Sequence, residues 1–487
     1  MSQKNSLLKN FSWKFAERAT AQGVALVVSL ILARLLAPAD YGVISIVAVL
    51  ITLANALVTD GFGSALIQKK NADALDFFSV LYFTIGFSVV LYAILFFVAP
   101  FISNFYGEGY EVLTMVIRAL GLLIILSGIN SVQQAYVARK MIFKTSFWAT
   151  LTGSIISAIV GITLAFSGFG VWALVAQHLT NTLAGTISLT LLLKKKPQYI
   201  FSFQRLRRLL KYGSKLISTR LLITGYEELR TIIIGKLYSF ADLAYFDRGK
   251  QFPNLIATNI NTTFSSVLFP KMAKEQENIE KVREITLRAI RFSAYVMSPL
   301  MIGLAVIAEP LIRLVLTEKW LGCVPLLQLF CVVNLFQPIH SANLQAIKAI
   351  GQSDVFFKLE VIKKTIELVV LFCVMWYGVK AIVISIAVLT ALFTLVNAYP
   401  NKMLLNYTLQ EQMKDIAPSL LMSAVMAAFV WPMTALPIGD FVMLLLQIIA
   451  GMLIYITLSI LTKNKEFFYI LGLFNPILRK FRRSAKD

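Results

Sequence analysis

Charged and amide side chains recur inside long apolar runs of this chain, where each ionised group costs about 3 kcal/mol or more against hydrocarbon. In FAERATAQGVALVVSLILARLLAP (15–38), Arg18, Gln22 and Ser29 fall on one helical face. A later run carries Arg220, Thr224, Glu227 and Thr231 on one face, with Glu228 beside them. Thr52, Asn55, Thr59 and Asp60 mark another helix, and Asn254, Thr258, Asn259, Asn261, Thr262 and Thr263 crowd a fourth. A guanidinium stays ionised and presents forked donors matched to phosphate oxygens. Arg18 and Arg220 are therefore candidates for holding a pyrophosphate or an acidic sugar. Arg118 and Arg230 are candidates to assist, although Glu227 stands three residues before Arg230 and neutralises charge at that spacing. Gln22, Thr224, Asn259 and Thr262 supply the mixed donors and acceptors that sugar hydroxyls require. Asp60, Glu227 and Glu228 are candidates for carrying a coupling proton or sodium ion.

Each of these has a structural reading beside the functional one. Arg18, next to Glu17 near a helix start, is placed to snorkel to the interface, and the carboxylates are placed to pair with arginines. Arg34 precedes the turn APADYG and reads as an anchor or a partner for Asp40. His178 and His340 stand among amides and read as hydrogen-bonded packing or as proton relays. Cys323, Cys331 and Cys373 lie in apolar segments without CxxC spacing and read as small packing residues. No GxxxxGK[ST] motif, metal-ligand spacing or nucleophile–histidine arrangement occurs in the sequence, so no cofactor and no direct use of ATP are expected.

The elements that must position these residues are helices in lipid. Of 487 residues, 58% are hydrophobic and 15% charged, and mean hydropathy is +0.74. A soluble fold of this size does not hide that much apolar surface. The apolar runs are continuous rather than alternating, which excludes a β-barrel. Fourteen helices are expected, near 13–36, 43–67, 76–100, 111–136, 146–166, 169–193, 212–238, 246–270, 285–314, 323–347, 356–377, 380–400, 415–436 and 440–462. Net charge is +21, and 35 of the 46 Lys and Arg fall in loops on one side against six on the other. That asymmetry places both termini in the cytoplasm. It also assigns the positive charge to topology and membrane lipids, so nucleic acid is not an expected partner.

Shifted by 202 residues, the second half aligns with the first. ERATAQG (17–23) meets TRLLITG (219–225), ARLLAPAD (33–40) meets GKLYSFAD (235–242), and GFGSALIQK (61–69) meets TFSSVLFPK (263–271). Arg18 then pairs with Arg220, Arg34 with Lys236, Asp40 with Asp242, and Lys69 with Lys271. A repeat of six helices preserves orientation across the membrane. The expected organisation is a six-helix bundle over 1–193, a basic linker over 194–211, a second bundle over 212–400, and two peripheral helices with a basic tail over 401–487.

The order ERATAQG…LARLLAPADYG…DGFGSALIQ, then YFDRGKQFPNLIATNINTTFSSVLFP, resembles the polysaccharide exporter branch of the multidrug/oligosaccharidyl-lipid/polysaccharide superfamily, the Wzx-type flippases. The likeness spans essentially the whole chain. It implies two pseudo-symmetric bundles around a central cavity. It further implies alternating-access export of an undecaprenyl-pyrophosphate-linked oligosaccharide across the bacterial inner membrane, coupled to H+ or Na+ and working beside polysaccharide polymerase machinery. A multidrug antiporter of the same superfamily is the alternative. Its cationic cargo would favour acids and aromatics over the arginines of the first and seventh helices. A membrane-embedded polymerase or ligase would carry a sizeable outer loop, and every outer loop here is short.

Overall fold

The structure is a computed structural model of the chain, and it describes residues 2–59, 66, 69, 72–107, 111–194 and 198–472. The described residues form helices and turns, with no strand among them. The chain divides into two compact units, Met1–Ala244 and Tyr245–Asp487.

The first unit contains α1 (Ser2–Leu35), α2 (Pro38–Val58), α3 (Ala74–Tyr106), α4 (Glu111–Lys140), α5 (Phe143–Phe166), α6 (Val171–Leu193) and α7 (Phe203–Leu237). α8 (Phe240–Lys274) begins in its last residues and continues into the second unit. There follow α9 (Ile279–Val306), α10 (Ala308–Leu316), α11 (Val324–Leu335), α12 (Gln337–Ala349), α13 (Ser353–Val374), α14 (Val379–Leu405), α15 (Leu409–Val430) and α16 (Asp440–Leu461). All fourteen expected helices are present, two of them broken. α9 gives way to α10 at Ile307, just before Pro310, and α11 gives way to α12 at Phe336, just before Pro338. Each of these prolines falls in the first turn of the new helix, where its missing N–H leaves no hydrogen bond unmade.

Ten of the described helices are long and apolar enough to cross a membrane, α11 and α12 counting together. The fold is an all-α polytopic membrane protein. α6, α7, α8 and α13 fall outside those ten because their sequences interleave polar residues with the apolar ones. The stretch FQRLRRLL, within the basic linker expected over 194–211, forms the first turns of α7.

Small residues set the packing of the first unit. α5 buries Ala149, Gly153, Ser157, Gly161 and Ala165, one every four residues, and this ridge lies against α6. A Cβ on Gly153 would sit 2.7 Å from the Asn181 carbonyl, so only glycine allows the approach. α1 packs on α5, and α2 packs on α4 and α7. The repeated Ala-Asp pair is capping chemistry. Asp40 accepts from the Ala37 N–H at 3.1 Å, and Asp242 accepts from the Ser239 N–H and hydroxyl at 3.2 and 2.6 Å.

One end of the first unit is held by ion pairs. Lys69 Nζ lies 2.6 Å from both oxygens of fully buried Asp76. Arg205, in the first turn of α7, sits 2.6 Å from Asp73 and 3.7 Å from Asp76. Arg139 donates to the carbonyls of Leu66 and Lys69. In the second unit the signs reverse, since α9 supplies cations and α15 the acids. Arg283 meets Glu411 at 3.0 Å, and Arg291 meets Asp415 at 2.6 Å.

Candidate functional site

A polar cavity of ≈ 380 Å³ opens inside the first unit between α2, α4, α5 and α6. Amides enter it from Asn55, Asn130, Gln134 and Asn181, and hydroxyls from Thr59, Ser127, Ser131, Thr150 and Thr182. Among the described residues, no charged or aromatic side chain lines it. Hydrogen bonds between helices fix its walls. Asn130 Nδ2 donates to Thr186 Oγ1 at 3.3 Å, and neighbouring Gln133 Nε2 donates to Thr190 Oγ1 at 2.7 Å. Asn55 Oδ1 is buried with no hydrogen-bond partner among the described residues, leaving an acceptor available to a ligand.

Behind this wall lies Glu17, only 8% exposed. Ser146 Oγ is 2.9 Å from Glu17 Oε1 and 3.2 Å from Gln134 Oε1, and Thr150 Oγ1 reaches Glu17 Oε1 at 3.5 Å. Lys14 pairs with the other carboxylate oxygen at 3.0 Å. Glu17 reads from sequence as an interfacial partner of Arg18. In the fold it turns inward to α5 and stands one hydroxyl away from the cavity.

The residues singled out from the sequence are placed differently. Arg18 and Gln22 are exposed on α1. On α7, Arg220 and Glu227 are exposed, Glu228 is half-buried and Thr224 is buried. Arg118 is committed to the α3–α4 contact, where its Nε donates to the Phe96 carbonyl at 3.2 Å and its guanidinium stacks 4.2 Å over the Phe96 ring. Asp60 lies outside the described residues. None of the described ones lines the first-unit cavity. In the second unit, Asn259 and Thr262 are exposed on α8, and their side chains donate back to the carbonyls of Leu255 and Thr258.

Elsewhere on α8 the polar residues are paired across helices. Asn334 Nδ2 donates to Asn254 Oδ1 at 2.9 Å, Asn261 Nδ2 to Gln337 Oε1 at 3.4 Å, and Ser265 meets Ser341 at 3.3 Å. His340 is held by Asn397 at Nδ1 (2.6 Å) and by the Thr390 carbonyl at Nε2 (3.1 Å). The amide donates to Nδ1, so the ring proton sits on Nε2.

Sequence reasoning reached Asn55 and Thr59 but not Asn130, Gln134, Thr150 or Asn181. The available signal was the four-residue spacing of Asn130 with Gln134 and of Ser146 with Thr150, beside the small-residue ridge of α5. A pocket of this size presents neutral donors and acceptors of the kind that hydroxyl groups require.

Residues 31–325 match the family described as "Polysaccharide biosynthesis protein". The succinoglycan biosynthesis transport protein ExoT of Rhizobium meliloti (strain 1021) is 22% identical over 353 residues, 72% of this chain and 71% of that one. The lipopolysaccharide biosynthesis protein WzxC of Escherichia coli (strain K12) is 22% identical over 369 residues, 74% of each chain. Among solved structures, the lipid II flippase MurJ in an inward closed conformation matches with a TM-score of 0.72 at 18% identity, covering 93% of this chain and 99% of that one. Family, relatives and the apolar helices agree, and the chain belongs to the polysaccharide biosynthesis protein family, the Wzx-type membrane transporters of polysaccharide biosynthesis.

Proposed function

We propose that this transporter carries an undecaprenyl-pyrophosphate-linked oligosaccharide from the inner to the outer leaflet of the bacterial cytoplasmic membrane, with both of its termini in the cytoplasm. The physical task is to move a sugar headgroup with two phosphates through about 30 Å of hydrocarbon. The cavity of neutral amides and hydroxyls in the first unit carries the reading, because its described lining matches sugar hydroxyls rather than the acids and aromatics that a cationic drug would favour. The names of ExoT, WzxC and MurJ support the same cargo class. In this reading Arg18 and Arg220 hold the pyrophosphate, with Arg118 assisting, while Gln22, Thr224, Asn259 and Thr262 meet the sugars. The halves 1–193 and 212–400 exchange access, and Asp60, Glu227 or Glu228 couples the cycle to a proton or sodium gradient. Buried Glu17 joins those carboxylates as a candidate.

Depletion of the protein tests the cargo. Lipid-linked repeat units are expected to accumulate on the cytoplasmic leaflet, and normal surface polysaccharide with altered drug efflux would overturn the reading. Arg220→Ala is expected to abolish export while the protein inserts at normal levels. Rescue by Arg220→Lys would show that charge suffices without the forked donors.

A further inference from the structure

A second cavity, of ≈ 580 Å³, lies in the second unit where α8 ends and α9 begins. The charge count assigns this end to the cytoplasm. Its wall is apolar and aromatic. Phe264 packs edge-on against Phe292 at 5.5 Å, Phe292 against Tyr469 at 6.3 Å, and Leu268 lies beside them. Its rim is ionic. Lys281 is paired with Glu275 at 3.3 Å and Arg288 with Glu284 at 2.9 Å. Lys271, on the same rim, has no ion pair among the described residues.

The first unit shows what Lys271 lacks. Its repeat mate Lys69 is locked onto buried Asp76, the third residue of α3 after the Asp73 cap. The loop in the second unit is three residues longer, so Asn278 takes the capping position of Asp73 and Lys281 takes the place of Asp76. A cation stands where the carboxylate was. The positive charge of the repeat is kept at Lys271 and its internal partner is gone.

Phe264, Leu268 and Lys271 follow one face of α8 at i, i+4 and i+7. Phe264 therefore lies about 10 Å deeper along the helix than Lys271. A molecule touching both has an anionic head at the helix end and an apolar body running into the membrane. The chain's own C-terminal segment is a poor occupant, because Arg479, Lys480, Arg482 and Arg483 would meet a rim whose two acids are already paired and whose remaining charge, at Lys271, is positive. We infer that this cavity binds a lipid with a phosphate headgroup, the phosphate at Lys271 and the chain against Phe264, Leu268 and Phe292.

Lipid binding to the full-length purified protein, read by native mass spectrometry, tests the site without any transport step. The outcome is therefore independent of the cargo reading above. Phosphatidylglycerol and a polyprenyl monophosphate are each expected to bind about fivefold or more tighter than phosphatidylcholine. Lys271→Glu is expected to erase that preference, Lys271→Arg to keep it, and Phe264→Ala to weaken both phosphate lipids. Should Lys271→Glu fail to accumulate, Lys271→Gln is expected to show the same loss. Competition between the two phosphate lipids names the natural source, and either winner supports the site. Three results would overturn it: preference unchanged in Lys271→Glu, an equal loss in Lys358→Glu on the exposed start of α13, or displacement of lipid by inorganic phosphate at matching concentration.

Discussion

Two helices that are repeat mates, α2 and α8, treat their polar residues in opposite ways. At the common offset of 202, Thr52 corresponds to Asn254, Asn55 to Ala257 and Thr59 to Asn261. In the second unit Asn254 and Asn261 are joined to α11 and α12, closing a polar ladder between helices. In the first unit the same region of the repeat stays open, and Asn55 faces a cavity with its carbonyl oxygen unpartnered. At the helix ends the pattern inverts. Lys69 is clamped by Asp76 in the first unit, while Lys271 is left open in the second. One repeated scaffold thus presents a polar cavity in one unit and an amphipathic one in the other. A few side chains and a three-residue loop extension contribute to the difference, beside the helix breaks at Ile307 and Phe336.

The sharpest way to break this comparison is at the clamp. Asp76→Ala removes a fully buried carboxylate that serves Lys69, Arg205 and the Asp73 backbone N–H. Lys69 then loses its partner while Arg205 keeps Asp73, and the expected cost is about 3 kcal/mol, read as a lower melting temperature and reduced yield. Lys281→Ala, the matching position in the second unit, removes an exposed pair and is expected to cost less than about 0.5 kcal/mol. Equal effects at the two positions would erase the distinction between a closed and an open end.

A smaller and more selective effect is expected along the repeat mates. Asn55→Leu places an apolar group where an amide with no partner for its oxygen among the described residues faced the first-unit cavity. Stability should hold or rise slightly, while polysaccharide export falls by about tenfold. Asn254→Leu should do the reverse. It withdraws an acceptor from buried Asn334, which keeps only its bond to the Phe330 carbonyl, and is expected to cost about 1 kcal/mol with export retained. Export and melting temperature measured on both variants decide the matter. If Asn254→Leu abolishes export at unchanged stability, the ladder is part of the pathway.

Much of this was legible in the sequence, for specific reasons. Continuous apolar runs and one-sided loop charge mark the helices and the membrane. The paired Ala-Asp dipeptides mark the repeat, whereas the capping role of Asp40 and Asp242 appears only in the fold. The cavity in the first unit was not legible, because Asn130, Gln134, Thr150 and Asn181 come from three helices and each alone resembles an incidental polar residue. They meet only because Gly153 and the small residues in register with it bring α5 against α6. Charges are hard to rank for a related reason. Sequence ranks an intramembrane charge by its cost, but Arg118 meets that cost locally with one ring and one carbonyl, and Glu17 with two hydroxyls and a lysine.

The smallest expected effect separates the two caps by acid. Arg205, with the Asp76 N–H beside it, holds the Asp73 carboxyl down at about 2, against 3.8 for the free group. A folded pKa below the unfolded one means that Asp73 contributes its stability above pH 3.8 and loses it as pH falls through about 2. The melting temperatures of the wild type and Asp73→Asn should therefore differ at pH 5 and converge as pH approaches 2. Asn278, which caps α9 in the second unit, carries an amide that does not titrate. Asn278→Ala removes that cap at an expected cost of about 1 kcal/mol, and its deficit should stay constant over the same pH range. A gap for Asp73→Asn that is equally constant would show that Arg205 does not stabilise the charged carboxylate, and that the ionic clamp of the first unit is no stronger than the amide cap of the second.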